Sequence, residues 1–160
     1  MDFRKENKYA IVVPSSMGVR ITPLDRQPVH IADYFRLQAT SAETNVISVA
    51  SALGMPVKVL TAFVKGSPIA QRIKNDLGRR HIEYEGPEVE QGGPWGFRHQ
   101  FNIADSGYGL RAPRVQNDRA GEVGRTLDVK DFDLERLFVD EGVSLLHLSG
   151  LIAALSPQTA

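Results

Sequence analysis

The chain has 160 residues, 42% of them hydrophobic and 24% charged, which suits one compact domain able to bury roughly two-thirds of its unfolded surface. Nineteen basic and 19 acidic side chains cancel, so no charge excess argues for nucleic acid or an anionic membrane as a partner. Cysteine is absent, which excludes disulfides, thiolate zinc sites and thiol nucleophiles. The charged start "MDFRKENKY" leads into no signal-peptide pattern, and no apolar run reaches the roughly 20 residues of a membrane span; a cytoplasmic protein is expected.

Taken in order, "YAIVV" (9–13) is a short β-branched run closed by Pro14, the pattern of a buried strand. "MGVRIT" (17–22) and "PVHIADYF" (28–35) alternate as half-exposed strands do. "TSAETNVISVASAL" (40–53) turns helical, with Thr40 and Glu43 at capping-box spacing and Val46, Val49, Ala50 and Leu53 on one face. "VKVLTAFV" (57–64) predicts a further strand. Ser67-Pro68 then opens a second helix, lined by Ile69, Ile73 and Leu77 and ended by Gly78.

This β-α-β-α order implies a parallel sheet with right-handed crossovers. The pattern breaks at 92–116. There "FRHQFNI" (97–103) and "LRAPRV" (110–115) flank the turn "ADSGYG", with Pro113 suited only to an edge strand. "VKDFDLERLF" (129–138) predicts a short helix, and "VSLLHLSG" (143–150) returns to the parallel core. The expected picture is an α/β core with a small antiparallel lid, its strands near 17–35 and 96–116.

In open α/β sheets, ligands sit beyond the carboxyl ends of the strands. Here those ends carry "PSSMG", "KGSP" and "SGLIAALS", and Thr40-Ser41 stands at a helix N-terminus, where free amides favour an oxygen ligand. Arg119, in "DRAGEVGR", has the side chain to meet a carboxylate bidentately. Histidines 30, 81, 99 and 147 lack metal-ligand spacing. "GYGLRA" joins two strands rather than opening a helix, so it reads as a turn and not a dinucleotide motif. Trp95, in "GGPWG", is expected to pack under the lid. No nucleophile–base set and no paired carboxylates stand out.

Five segments, in order, resemble the ribokinase/PfkB family of carbohydrate kinases, and its 2-keto-3-deoxygluconate kinase branch in particular. "KYAIVVPSSMGVRITP" looks like the family's first strand and lid entry, and "TSAETNVISVASALG" like its Gly-Gly-Ala-Glu-x-Asn-Val-Ala helix. "VKGSPIAQRI" is similar to Asn-Pro-Ile-Gly, "GLRAPRVQNDRAG" to the branch's Arg-Pro-Ser-Lys-Val-Ile-Tyr-Asp-Arg-Ala-Gly run, and "LLHLSGLIAALSP" to Leu-His-Leu-Ser-Gly-Ile. The resemblance implies a ribokinase-like parallel sheet with flanking helices and a β lid, and a sugar acid bound between sheet and lid. By it, Ser16, Ser41, Asn45, Arg98, Asn117 and Arg119 fall on substrate positions. Four departures stand out: Ser15-Ser16 for Gly-Glu, Thr40-Ser41 for Gly-Gly, Asn117 for tyrosine and Ala70 for glycine. They point to an altered or lost substrate.

In the intact family the ATP and magnesium site and the catalytic aspartate lie in the second half, and nothing in this sequence resembles that Gly-Ala-Gly-Asp run. The expectation is therefore the N-terminal part of a ribokinase-like domain over 1–160, with the ATP-binding half absent, no cofactor and no kinase activity alone. The alternative is a non-enzymatic sugar-acid-binding or dimerisation module. Partners expected are a sugar or sugar acid, a second copy through the lid or an apolar edge at "VSLLHL", or a separate chain carrying the missing half.

Overall fold

The computed structural model describes residues 6–160. Five residues of the charged N-terminal stretch, 1–5, lie outside them. The core is a four-stranded, all-parallel sheet. Its strands are β1 (Tyr9–Pro14), β4 (Val57–Leu60), β6 (Glu83–Glu85) and β10 (Val143–Leu146), in the order β10-β1-β4-β6. β1 pairs on both edges, which explains its unbroken apolar run. Alternate residues serve opposite faces. Val13, Val57 and Val59 pack towards helices α1 (Ala42–Ala52) and α2 (Pro68–Arg79). Val12 and Leu60 pack, with Tyr9, against Leu137 on the other face.

A second sheet holds β2 (Gly18–Pro23), β3 (Phe35–Thr40), β8 (Gln100–Asp105) and β9 (Arg114–Asp118), in the order β3-β2-β8-β9. It was expected to be antiparallel, and it is mixed: the outer pairs are antiparallel, while β2 and β8 run parallel. The chain crosses the whole core between those two strands, so no hairpin forces them to oppose. Met17, Val19 and Ala39 share one buried cluster with Ile47, Ile73 and Leu77 of the helices. This sheet is therefore welded to the end of the core.

Several local expectations are corrected. The 28–35 stretch is not a strand; it makes a short 3-10 turn at Val29–Ile31, and β3 starts at Phe35. Ile31 and Tyr34 have nothing to bury against and stand 63% and 76% exposed. Thr40 does not cap α1, because it ends β3 opposite Gly18. Ser41 is the N-cap, its Oγ accepting from Thr44 N at 3.0 Å. The buried face of α1 is Glu43, Thr44, Ile47, Ala50 and Ser51, while Val46, Val49 and Leu53 are exposed.

Residues 57–64 form two strands. After Leu60 the chain leaves the main sheet, and β5 (Phe63–Val64) pairs with β7 (Glu88–Val89). The expected 129–138 helix is a 3-10 turn at Val129–Asp131 followed by a π-helix at Arg136–Gly142. Trp95 is 97% exposed rather than packed. Its loop turns at Gly92 and Gly93, with φ of 77° and 88°, and is closed by Phe97 N donating to Gln91 O at 2.7 Å. Ser67-Pro68 opens α2 as predicted, and the chain ends with the short helix α3 (Gly150–Ala153). No helix among the described residues is long and apolar enough to cross a membrane.

Candidate functional site at the strand tips

Beyond the carboxyl ends of β1 and β10, under the second sheet, lies a small polar crevice. Ser16, Ser41, Glu43, Gln100 and Arg119 line it, closed by Leu151, Ile152 and Leu155, and it encloses about 20 Å³. Each polar group is placed by an element end. Ser15 and Ser16 follow β1, Ser41 caps α1, Glu43 is in its first turn, Gln100 opens β8, and Arg119 follows β9.

Two buried carboxylates organise the crevice. Glu43, 2% exposed, accepts from Ser15 Oγ at 2.7 Å and from Ser149 Oγ, so it ties together the tips of β1 and β10. Glu122, 1% exposed, accepts from Ser16 Oγ and, at both oxygens, from Arg119 Nη1 at 2.8 and 3.1 Å. Two glycines make room. A Cβ on Gly18 would stand 2.1 Å from Gln100 Cγ, and one on Gly124 would stand 2.1 Å from Ser16 Oγ. Gln100 is 3% exposed, and its Oε1 has no hydrogen-bond partner.

The structure brings together three of the six predicted residues: Ser16, Ser41 and Arg119. The other three lie elsewhere. Asn45 is exposed on α1. Arg98 spans the surface, donating to Ala120 O at 2.7 Å and to Asp118 Oδ1 at 2.5 Å, with its guanidinium 5.8 Å from the Phe101 ring centre. Asn117 is exposed on β9 and accepts from Asn102.

The sequence reading does not pick out Glu43, Gln100 or Glu122 as members of the site, whereas Ser149 opens the "SGLIAALS" segment that it places at a strand end. Glu43 stands at capping-box spacing from Thr40, and the i,i+3 spacing of Arg119 and Glu122 in "DRAGE" is a local signal of their ion pair. Nearby, His99 Nδ1 donates to Met17 O at 3.0 Å and Nε2 accepts from Val64 N at 3.3 Å, which makes the ring a structural bridge rather than a site residue. Among the described residues no three His, Asp or Glu side chains converge to hold a metal. The crevice's acidic groups already receive serine and arginine donors, a poor fit to magnesium-ATP.

Solved structures place this architecture. A PfkB family carbohydrate kinase from Listeria grayi superposes with a TM-score of 0.77 at 26% identity, covering 92% of this chain. The fold is that of the PfkB carbohydrate kinases. A 2-dehydro-3-deoxygluconokinase from Thermotoga maritima matches with a TM-score of 0.81 at 20% identity over 96% of the chain. A PfkB protein from Polaromonas matches at 0.79 and 18% over 94%. The chain spans 43%, 45% and 48% of those three chains, consistent with their N-terminal half. No family model and no curated protein sequence matches it.

Proposed function

We propose that this chain is the sugar-binding portion of a PfkB-type kinase, similar in fold to the 2-keto-3-deoxygluconate kinases and without phosphoryl transfer of its own. One observation carries the reading. Ser16, Ser41 and Arg119, far apart in sequence, meet at one crevice beyond the parallel strand tips, the place where open α/β sheets take ligands. Phosphoryl transfer depends on positioning and charge stabilisation around a nucleotide, and the acidic crevice supplies neither for ATP. The ligand is a carbohydrate. The departures at Ser15-Ser16, Thr40-Ser41 and Asn117 support one that differs from 2-keto-3-deoxygluconate.

The test pairs two assays on the purified chain. Calorimetry with a panel of sugars and sugar acids is expected to give binding heat that Arg119→Ala reduces. A coupled assay with magnesium, ATP and the same panel is expected to give no sugar-dependent ADP release. Turnover above the no-sugar control would refute the inactive half-kinase reading, and silence across the calorimetric panel would refute sugar binding. A second reading, a dimerisation module, draws on the exposed leucines of β10 and would survive that second result.

A further inference from the structure

The free end of the second sheet carries positive charge that the fold does not use. In the register of β2 and β3, Arg20 stands opposite Gln38 and Thr22 opposite Arg36. Alternate residues of a strand share a face, so these four side chains lie on one face. Arg20 and Arg36 form a diagonal pair, a spacing of about 7–8 Å between neighbouring strands, and like charges on facing strands cost a sheet stability. Arg80, Arg98, Arg119 and Arg136 each hold a carboxylate. Among the described residues Arg20 and Arg36 hold none, and both are exposed.

The same face is hollow. Thr22, Arg36 and Gln38 line an open cavity of about 360 Å³, together with Ser106, just beyond β8, and the turn at 23–26. That turn is held in a costly shape. Asp25 and Arg26 sit in the left-handed region, at φ 53° and 57°, which side chains other than glycine rarely adopt. Leu24 N donates to Tyr34 O at 3.0 Å, and Arg111 Nη2 donates to Arg26 O at 2.8 Å, so the turn is fastened at two points. The Arg26 guanidinium lies 5.6 Å from the Tyr108 ring centre. Nearby carboxylates do not cancel this charge. Asp105 is committed to Arg111 and to the Gly107 amide. Asp25 is one carboxylate against the guanidiniums of Arg20, Arg26 and Arg36. The hydroxyls of Thr22 and Ser106 and the Gln38 amide add hydrogen-bond donors.

We propose that this hollow is an anion site that takes a phosphate group, either the free ion or the ester of a small molecule. Guanidinium forks meet phosphate oxygens in pairs. A phosphate dianion also offsets the repulsion between Arg20 and Arg36, where a carboxylate brings a single charge. The site stands apart from the strand-tip crevice, four residues or roughly 13 Å along β2 from Gly18, and does not depend on what the crevice binds.

The test is calorimetry on the full chain with inorganic phosphate, glycerol 3-phosphate and acetate at constant ionic strength. Phosphate is expected to bind at least about tenfold tighter than acetate, and to weaken as salt rises. Arg36→Ala and Arg20→Ala should each weaken it about tenfold, and Arg36→Lys, which keeps the charge and loses the fork, should fall between. Arg114→Ala removes one charge from the opposite face of the same sheet and should leave the affinity unchanged. These arginines are exposed, so circular dichroism should show each variant folded. An ester that binds as tightly as phosphate or tighter assigns the site to a small molecule, and a weaker one assigns it to the free ion. Unchanged affinity in Arg20→Ala removes Arg20 from the site. No phosphate binding up to about 10 mM, no preference over acetate, unchanged affinity in Arg36→Ala, or an equal loss in Arg114→Ala overturns the proposal.

Discussion

His99 is a single residue with a measurable signature. Burial pushes its imidazole below the ordinary value of 6.5; its bond to the Met17 carbonyl opposes that shift, and the nearby Lys74 charge adds to it. The folded chain therefore resists protonation that the unfolded chain accepts. Stability should be level above pH 6.5 and fall as pH drops from there towards the folded value, where the loss levels off. Thermal midpoints between about pH 7.5 and 5.5 are expected to decline, and His99→Gln should flatten that decline while lowering the midpoint at pH 7.5. Equal slopes for both proteins would show that the imidazole is not responsible. The crevice itself was only partly legible at this scale. Ser16, Ser41 and Arg119 announced themselves by residue type at strand and helix ends, whereas Glu43 and Glu122 matter through partners over 100 residues away, Ser149 and Ser16. The i,i+3 spacing of Arg119 and Glu122 is local, but no local pattern carries the two long-range serine partners.

The start of α2 was legible because capping is local chemistry. Ser67 accepts from the amides of Ile69 and Ala70 at 3.2 and 3.4 Å, and Pro68 follows at the first helical position. Ser67→Ala should cost about 1 kcal/mol, a fall of about 2–4 °C in thermal midpoint for a domain of this size. Ser67→Asp, which keeps an acceptor, should restore most of it. An unchanged midpoint in Ser67→Ala would mean that tertiary packing alone holds α2. The buried face of α1 departs from its apolar periodicity for a physical reason. Apolar periodicity marks what a helix is built to cover, and on α1 the apolar positions Val46, Val49 and Leu53 lie in solvent while Glu43 and Thr44 are buried. The polar residues went inward because that end of the helix meets the crevice. Similarly, "PVHIADYF" alternates well but has no opposing layer, so its pattern found no sheet to join.

At the scale of the molecule, the bare apolar side of α1 has a counterpart. β10 is an edge strand, and no described strand pairs with its outer side. Leu145, Leu146 and Leu148 are 53%, 45% and 60% exposed. Beside them an apolar groove of about 320 Å³ runs among Leu60, Phe138, Leu146, Leu148 and Ile152. Helical geometry puts Ser48, which meets Arg80 of the α2 side, opposite Val46 and Leu53, so those apolar residues flank the β10 side of the core. An unpaired edge and exposed leucines on one side of a molecule favour association. The matched kinases, about twice as long as this chain, have further structure to set against such a surface. We therefore expect the isolated chain to self-associate through this side. Light scattering at micromolar concentration should give a mass above that of one chain, independent of salt because the contact is apolar. Leu146→Lys combined with Leu148→Lys should return it to a monomer without unfolding it, since both side chains already reach solvent. A wild-type chain that stays monomeric under those conditions would overturn the expectation, and an oligomer untouched by the double variant would move the contact to the second sheet, whose outer strands β3 and β9 are also free on one side.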